Sequence, residues 1–256
     1  MLKKLIPLIA VGLIFFSCSG GKKHKEYEID LRANTETVKG SDNKENTPLI
    51  TRPNTVLKTS HPEHRLITVY KEKRTKNNSR YIDGNYYYHS YPDHAEGDGN
   101  NWHYHFMPGF EAVYGFNMYN IAHYNTTSME KKFLFDHSVL IKTLYYPSFE
   151  KDTLNNQPVS RNYYMVSVYN EDTNNDSTIN AKDLRRFFAF DLDINKRTPL
   201  IPNNYSVLSS EYDPQNDFMY VFARLDKNNN GTRDEDEPVH IFYVDLKIPD
   251  TAKRLY

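Results

Sequence analysis

The stretch D-K-N-N-N-G-T-R-D-E-D-E, residues 226–237, determines how we interpret the second half of this chain. Oxygen-bearing side chains occupy its positions 1, 3, 5, 9 and 12, and Gly231 stands at position 6. Alternate residues of a tight loop can point inward, and glycine permits the sharp turn that this requires. The stretch therefore predicts a loop that surrounds a hard cation. The predicted ligand residues are Asp226, Asn228, Asn230, Asp234 and Glu237.

This spacing resembles the twelve-residue calcium loop of EF-hand proteins. Ca²⁺ prefers six to eight oxygen ligands, and a glutamate at position 12 can supply two of them. The resemblance implies Ca²⁺ as the cofactor and adds Thr232, at position 7, to the ligand set.

A second stretch with the same spacing, D-T-N-N-D-S-T-I-N-A-K-D, occupies residues 172–183. It resembles the calcium loop of dockerin modules, with Ile179 at the hydrophobic position of that pattern. The resemblance covers only this loop and departs from the EF-hand pattern at two positions, since Ser177 replaces the turn glycine and Asp183 replaces the glutamate. The ligand residues that it implies are Asp172, Asn174, Asp176, Thr178, Asn180 and Asp183.

The two loops differ in ways that predict a ranking of their affinities. Ser177 must adopt a positive φ, which disfavours residues with a Cβ, and Asp183 has a shorter reach than Glu237. Ile179 favours the first loop by packing on its hairpin, but we expect geometry and charge to outweigh that contact. The loop from Asp226 is therefore predicted to bind Ca²⁺ more tightly.

The segments that flank the loops predict β-hairpins rather than the helices of an EF-hand. They are rich in aromatic and β-branched residues and lack a 3.6-residue period. These segments are Tyr163–Tyr169 and Phe187–Leu192 around the first loop, and Phe218–Ala223 and His240–Leu246 around the second.

The hairpins also form an internal repeat. Asp172 and Asp226 are 54 residues apart, and Met165 and Met219 have the same spacing. On the returning strands this offset aligns Phe188 with Phe242. The order of elements resembles the blades of TolB-type and prolyl-oligopeptidase-type β-propellers, which implies fold alone. We therefore expect an all-β fold that resembles a small or incomplete β-propeller, with a β-sandwich as the alternative.

The beginning of the chain predicts export and lipid attachment. Lys3 and Lys4 precede an apolar run that is too short to span a bilayer, so residues 1–17 are predicted to be a signal peptide. The sequence F-F-S-C at residues 15–18 resembles a bacterial lipobox. The resemblance implies that the chain is cleaved before Cys18, its only cysteine, which is then lipidated. By analogy with enteric bacteria, Ser19 at the next position implies an outer-membrane lipoprotein of the cell envelope, either periplasmic or surface-exposed.

The remaining chain divides into two regions by composition. Residues 18–62 are polar and are predicted to form the lipidated cysteine and a flexible tether. Residues 63–256 are predicted to form the β-rich domain, because aromatic residues make up 14% of the chain and turn residues recur. With 32 basic and 33 acidic residues, the chain lacks the basic excess that is typical of nucleic-acid-binding proteins.

The segment from His89 to His105 suggests an alternative to a calcium-binding module, namely a catalytic or sugar-binding site. His103 and His105 alternate along a predicted strand, near Trp102 and His94, and could serve a transition-metal, hydrolytic or sugar-binding site. The sequence contains no G-x-S-x-G elbow, P-loop or H-E-x-x-H motif. We therefore expect a lipid-anchored, calcium-binding β-module that binds an unknown protein or glycan partner, with no catalytic residues. A surface hydrolase or carbohydrate-binding protein is the alternative.

Overall fold

The computed structural model describes residues 28–31, 50–74, 76–77, 79–82 and 107–256. Its regular elements are β-strands. In chain order they are β1 (Ile29–Asp30), β2 (Thr51–Lys58), β3 (His64–Arg74), β4 (Arg80–Ile82), β5 (Phe110–Asn125), β6 (Lys131–Phe133), β7 (Leu140–Pro147), β8 (Asp152–Leu154), β9 (Gln157–Val159), β10 (Tyr163–Tyr169), β11 (Thr178–Ile179), β12 (Arg186–Asp191), β13 (Arg197–Pro199), β14 (Tyr205–Asp213), β15 (Phe218–Leu225), β16 (Val239–Asp245) and β17 (Lys253–Arg254).

Two antiparallel sheets contain most of these strands. The larger has the order β13-β12-β10-β7-β5-β3-β2, with β4 beside β3 and β6 beside β5. The smaller is the four-stranded meander β14-β15-β16-β17. Neither sheet closes on itself within the described ranges. The expected all-β class is confirmed. No described segment forms a helix that could cross a membrane.

The larger sheet is buried on both faces, which explains why its central strands read as continuous apolar runs. All residues of β7 and β10 are buried. One core cluster combines Met165 and Phe187 of the larger sheet with Met219 and Phe242 of the smaller sheet. A second cluster, which includes Tyr164, covers the opposite face of the larger sheet. Facing apolar layers of this kind account for the stability of packed sheets.

The two hairpins predicted around the loops are confirmed. Strand β10 pairs with β12, and β15 pairs with β16, both antiparallel. The register corrects one detail of the repeat. Met165 faces Ala189, whereas Met219 faces Val244, so the returning strands correspond at an offset of 55 rather than 54 residues. The second loop therefore contains one more residue than the first between paired strand positions, and Phe242 corresponds to Phe187 rather than Phe188.

The folded region begins earlier than the sequence indicated. Strand β2 lies within the range 18–62 that was predicted to be a tether, yet it pairs with β3 along most of its length. Leu57 is its only buried apolar residue. Backbone hydrogen bonds along the edge of the sheet, rather than an apolar pattern, hold this strand, so composition could not reveal it.

A buried ion pair joins the two sheets at the end opposite the loops. Arg161, just before β10, donates to both carboxylate oxygens of Asp217, just before β15, at 2.7 and 2.9 Å. Arg161 also donates to the carbonyl of Leu246 at 2.8 Å. These bonds satisfy the buried guanidinium and fix the sheets relative to each other at the start of both hairpins.

Candidate metal centre

The loop between β10 and β12, residues 172–183, is organised by its own aspartate and asparagine side chains. Asp172 accepts backbone N–H bonds from Asp176 and Ser177, at 3.0 and 2.8 Å. Asn174 Oδ1 accepts the N–H of Asp176, and Asp176 Oδ1 accepts the N–H of Thr178. Each of these bonds closes a local turn, and together they draw positions 1, 3 and 5 towards the inside of the loop.

The loop between β15 and β16, residues 226–237, has the same hydrogen bonds at the same positions. Asp226 accepts from the N–H groups of Asn230 and Gly231, at 3.1 and 3.0 Å. Asn228 Oδ1 accepts from Asn230, and Asn230 Oδ1 accepts from Thr232. The two stretches that the sequence paired by spacing thus share one local structure.

The backbone conformation also matches at two positions. Asn175 and Ser177 have φ values of 59° and 69°, and the corresponding Asn229 and Gly231 have values of 56° and 71°. The positive φ expected for Ser177 is confirmed. A residue with a Cβ is strained at this φ. Ser177 therefore costs conformational free energy in the first loop that Gly231 does not cost in the second.

Position 12 is where the loops differ most. Asp183 is fully buried, and its carboxylate accepts the N–H groups of Thr173 and Asn180, both at 2.8 Å. Burial raises the pKa of Asp183, although these N–H bonds oppose the rise. Glu237 Oε1 accepts the N–H of Lys227 at 2.8 Å, whereas Glu237 Oε2 is buried without a hydrogen-bond partner.

The environment of Glu237 Oε2 bears on whether the second loop could hold a cation. A buried carboxylate oxygen without a donor is costly, and a hard cation in the loop would satisfy it. The side chains of Asn228 and Asn230 lie beside Asp234, since both amide nitrogens donate to its carboxylate, at 3.2 and 2.7 Å. The structure thus brings Asn228 and Asn230 to Asp234, whereas Asp226, Asp234 and Glu237 do not form a group in which each offers an oxygen within 4.8 Å of the other two.

The two loops contact each other, which the sequence did not predict. The Thr173 hydroxyl donates to the carbonyl of Gly231 at 2.5 Å, and the N–H of Arg233 donates to the carbonyl of Lys182 at 3.1 Å. Asp183 and Thr232 form an antiparallel bridge. The contact brings together position 2 of one loop and position 6 of the other, a pairing that no spacing rule within one loop reveals.

Strand β1 pairs with the first loop only. Ile29 and Asp30 face Ile179 and Thr178 in an antiparallel pair, β1 with β11. Ile29 is buried in a small cluster with Ile179, Tyr119 and others. The packing role predicted for Ile179 thus includes the N-terminal segment as well as the hairpin.

Some predicted residues lie outside the described part of the chain. These are Cys18 with the signal peptide 1–17, and the segment from His89 to His105.

A histidine pair elsewhere was missed by the sequence reasoning. His64 Nδ1 and His123 Nε2 are 2.8 Å apart, and Asp193 is the third member of the group. Burial, followed by the charge of His64, lowers the pKa of His123. The three residues are far apart in sequence. The sequence indicated that His64 lies on a strand, but it did not indicate that the strand of His123 is its neighbour.

A scan against protein-family models found no matching family, and a search of curated proteins found no match, so the function proposed below rests on the geometry described here.

Proposed function

We propose that this protein is a calcium-binding β-module of the cell envelope in which Ca²⁺ has a structural role. The observation that carries the proposal is the partnerless Oε2 of Glu237 at the closing position of the second loop. The shared hydrogen bonds of the two loops support it, because the side chains at positions 1, 3 and 5 accept the same backbone N–H groups in both stretches. Asp172 and Asp226 would open the two ligand sets, and Asp183 and Glu237 would close them.

The contact between the loops supports a structural rather than a signalling role for the metal. The loops join the two sheets at one end, and the Arg161–Asp217 pair joins them at the other. A cation that rigidifies either loop would therefore stabilise the packing of the sheets. Binding only to the folded state adds RT ln(1 + [Ca²⁺]/Kd), about 2.7 kcal/mol at a hundredfold excess over Kd.

Thermal unfolding tests this proposal. We expect the melting temperature to rise by several degrees between excess EDTA and millimolar Ca²⁺, since extracellular calcium sites commonly have Kd values of about 10⁻⁴ to 10⁻³ M. Mg²⁺ should have a smaller effect because it demands tight octahedral geometry. The double variant Asp172→Ala/Asp226→Ala serves as the control and should show no response. A wild-type melting curve that does not respond to Ca²⁺ refutes the proposal.

Calorimetric titration assigns the two sites. We infer that the loop from Asp226 binds more tightly, because Glu237 has a free oxygen and Gly231 adopts its φ without strain. The tighter event should vanish in Asp226→Ala and persist in Asp172→Ala. The opposite result reverses the ranking.

The lipid anchor and the location in the outer membrane are part of the same proposal and rest on the sequence of residues 1–18. Metabolic labelling with a clickable fatty acid should label the wild type and not Cys18→Ser. Equal labelling of both proteins would exclude lipidation at Cys18. The anchored domain would act in binding or assembly with a protein or glycan partner, and retention of that partner from detergent extracts should depend on Ca²⁺.

For the fold, we propose a sandwich-like packing of the two sheets in preference to successive propeller blades. Met165 and Met219, which are equivalent in the repeat, lie in the same core cluster. Successive blades are related by rotation, so equivalent residues would face successive gaps between sheets rather than one shared gap. A distance measurement between spin labels at exposed positions of the two sheets, such as Lys131 in β6 and Lys253 in β17, would test this arrangement.

A further inference from the structure

His64 and His123 meet on one face of the larger sheet. His64 begins β3, and the register between β3 and β5 places Leu66 opposite His123, so the two histidines lie diagonally across neighbouring strands. Both side chains are buried, and His64 Nδ1 lies 2.8 Å from His123 Nε2. At this distance the two nitrogens share a hydrogen bond, in which one carries the proton and the other accepts it. A metal ion between them would replace that proton.

Asp193 approaches the same point from another part of the fold. It belongs to the turn between β12 and β13, and two strands, β10 and β7, separate β12 from β5 in the sheet order. Asp193 Oδ1 lies 3.9 Å from His64 Nδ1, and one ligand atom from each residue falls within 4.8 Å of the others. Tyr164 holds this turn, since its ring packs near His123 and its hydroxyl donates to the Leu192 carbonyl at 3.3 Å.

We propose that His64, His123 and Asp193 bind a Zn²⁺ ion, with His64 Nδ1, His123 Nε2 and one Asp193 carboxylate oxygen as ligands and water at the fourth position. Two imidazoles and a carboxylate suit Zn²⁺, whereas Ca²⁺ takes oxygen ligands. This inference is independent of the calcium loops, because none of the three residues belongs to either loop.

The distances require only small movements to accept the ion. Ligands at about 2.0–2.1 Å from a tetrahedral zinc lie about 3.3 Å from each other. The two histidine nitrogens would separate slightly from 2.8 Å, and the Asp193 oxygen would move inward from 3.9 Å. Because Asp193 is on an exposed turn, it has room to move. Glu63 Oε1 lies 3.6 Å from His64 Nε2, where a carboxylate can orient the ring and leave Nδ1 for the metal.

The ion would link the β3–β5 strand pair to the β12–β13 turn, which is not hydrogen-bonded to either strand in the sheet order. Strands β3 and β5 supply the histidines, and the β12–β13 turn supplies the aspartate. Lys132 donates to Asn195 Oδ1 of the same turn at 3.0 Å, so one contact already holds the turn near β6. Zinc at this place would tie the β12–β13 turn to the β3–β5 strand pair.

Competition with a chromogenic zinc chelator tests the proposal. The full chain is purified without a histidine tag, carries Cys18→Ser to remove its only thiol, and is kept in millimolar Ca²⁺ to occupy the loops. We expect Asp193→Asn and His123→Gln each to weaken Zn²⁺ binding at least about tenfold. Asp136→Asn is the matched control, because Asp136 is an exposed carboxylate 2.5 Å from a histidine, His137, outside the proposed site. It should leave Zn²⁺ affinity unchanged.

Co²⁺ substitution gives a second measurement, and its main readout is taken on the wild-type protein. Wild-type protein should show the intense visible bands of tetrahedral Co²⁺ with nitrogen and oxygen ligands, and Asp193→Asn should change or lose them. Four other histidines, at positions 89, 94, 103 and 105, are removed together in a separate variant. If Zn²⁺ binding is absent from the wild type, survives both Asp193→Asn and His123→Gln, or disappears only in the four-histidine variant, the proposal is wrong.

Discussion

The two loops have the same hydrogen bonds at positions 1, 3 and 5, but they close in opposite ways. In the first, Asp183 is fully buried and receives N–H groups from both sides of the loop. In the second, Glu237 uses one oxygen and leaves the other buried without a partner. The carboxylate of Asp183 is therefore satisfied by protein N–H groups, whereas Glu237 keeps one oxygen for which a cation at the proposed site would be a partner. A shared spacing therefore does not imply equal dependence on metal.

The largest expected effect comes from position 6. A Cβ on Gly231 would lie 1.8 Å from the Thr173 carbonyl oxygen, at a φ of 71°. Gly231→Ala must separate the loops, and we expect it to cost about 3 kcal/mol or more. Ser177→Gly, at the corresponding position of the first loop, should instead stabilise by about 0.5–1 kcal/mol, because it relieves strain. Urea unfolding in EDTA measures both changes.

The test depends on the two substitutions changing the free energy of unfolding in opposite directions. If Ser177→Gly destabilises the protein as much as Gly231→Ala, the strain assigned to Ser177 has no energetic consequence, and position 6 does not distinguish the loops.

The second effect separates structural from metal-binding carboxylates. Without Ca²⁺, Asp183→Asn should destabilise by about 2 kcal/mol, because buried N–H groups lose their charged acceptor. Glu237→Gln should cost less than about 1 kcal/mol, since it removes a desolvated charge. In millimolar Ca²⁺ the order should change, with Glu237→Gln losing most of the added stability. Melting curves of both variants in EDTA and in Ca²⁺ give the comparison, and parallel shifts for the two variants would contradict it.

A smaller effect tests the contact between the loops. The Thr173 hydroxyl donates to Gly231 and accepts the N–H of Leu184 at 2.9 Å. Thr173→Val keeps the shape, removes these bonds and should cost about 1–1.5 kcal/mol. Thr173→Ser retains the hydroxyl and is the control. Calorimetry should also show that Thr173→Val reduces any coupling between the two calcium sites, whereas coupling that persists would locate it elsewhere.

The smallest effect concerns β1, which pairs with the first loop and not with the second within the described residues. Ile29→Ala should loosen the β1–β11 pair and lower the calcium affinity of the first loop about threefold, without changing the second. Hydrogen exchange at the amide of Leu31, which donates to the carbonyl of Ser177 at 3.0 Å, reports the pairing directly. Equal changes in both loops would show that β1 acts on the whole domain.

The sequence predicted local structure better than contacts between distant segments. The strands that flank the loops, the hairpin pairing and the positive φ of Ser177 follow from patterns within a few residues. The contact of Thr173 with Gly231 and the meeting of His64, His123 and Asp193 depend on how the sheets pack. The extra residue of the second loop was hidden as well, because the offset of 54 matched similar side chains while the strand register required 55.

Strand β2 shows that amino-acid composition alone does not distinguish an edge strand from a linker. Its side chains are mostly exposed, and its position is set by pairing with β3. A polar segment that joins the edge of an existing sheet buries little apolar surface, so nothing in its own composition distinguishes it from a linker.

The pairing of β1 with the first loop limits how far the domain can lie from a lipid attached at Cys18. With Cys18 as the attachment point, the chain from Cys18 to Ile29 can extend at most about 40 Å, whereas the chain from Cys18 to β2 could extend about 110 Å. Seating or releasing one short strand therefore changes, by more than twofold, the greatest height at which the domain can stand above a membrane. Since that strand pairs with the first loop, the proposed lipid anchor and Ca²⁺ site together would make this greatest distance depend on Ca²⁺.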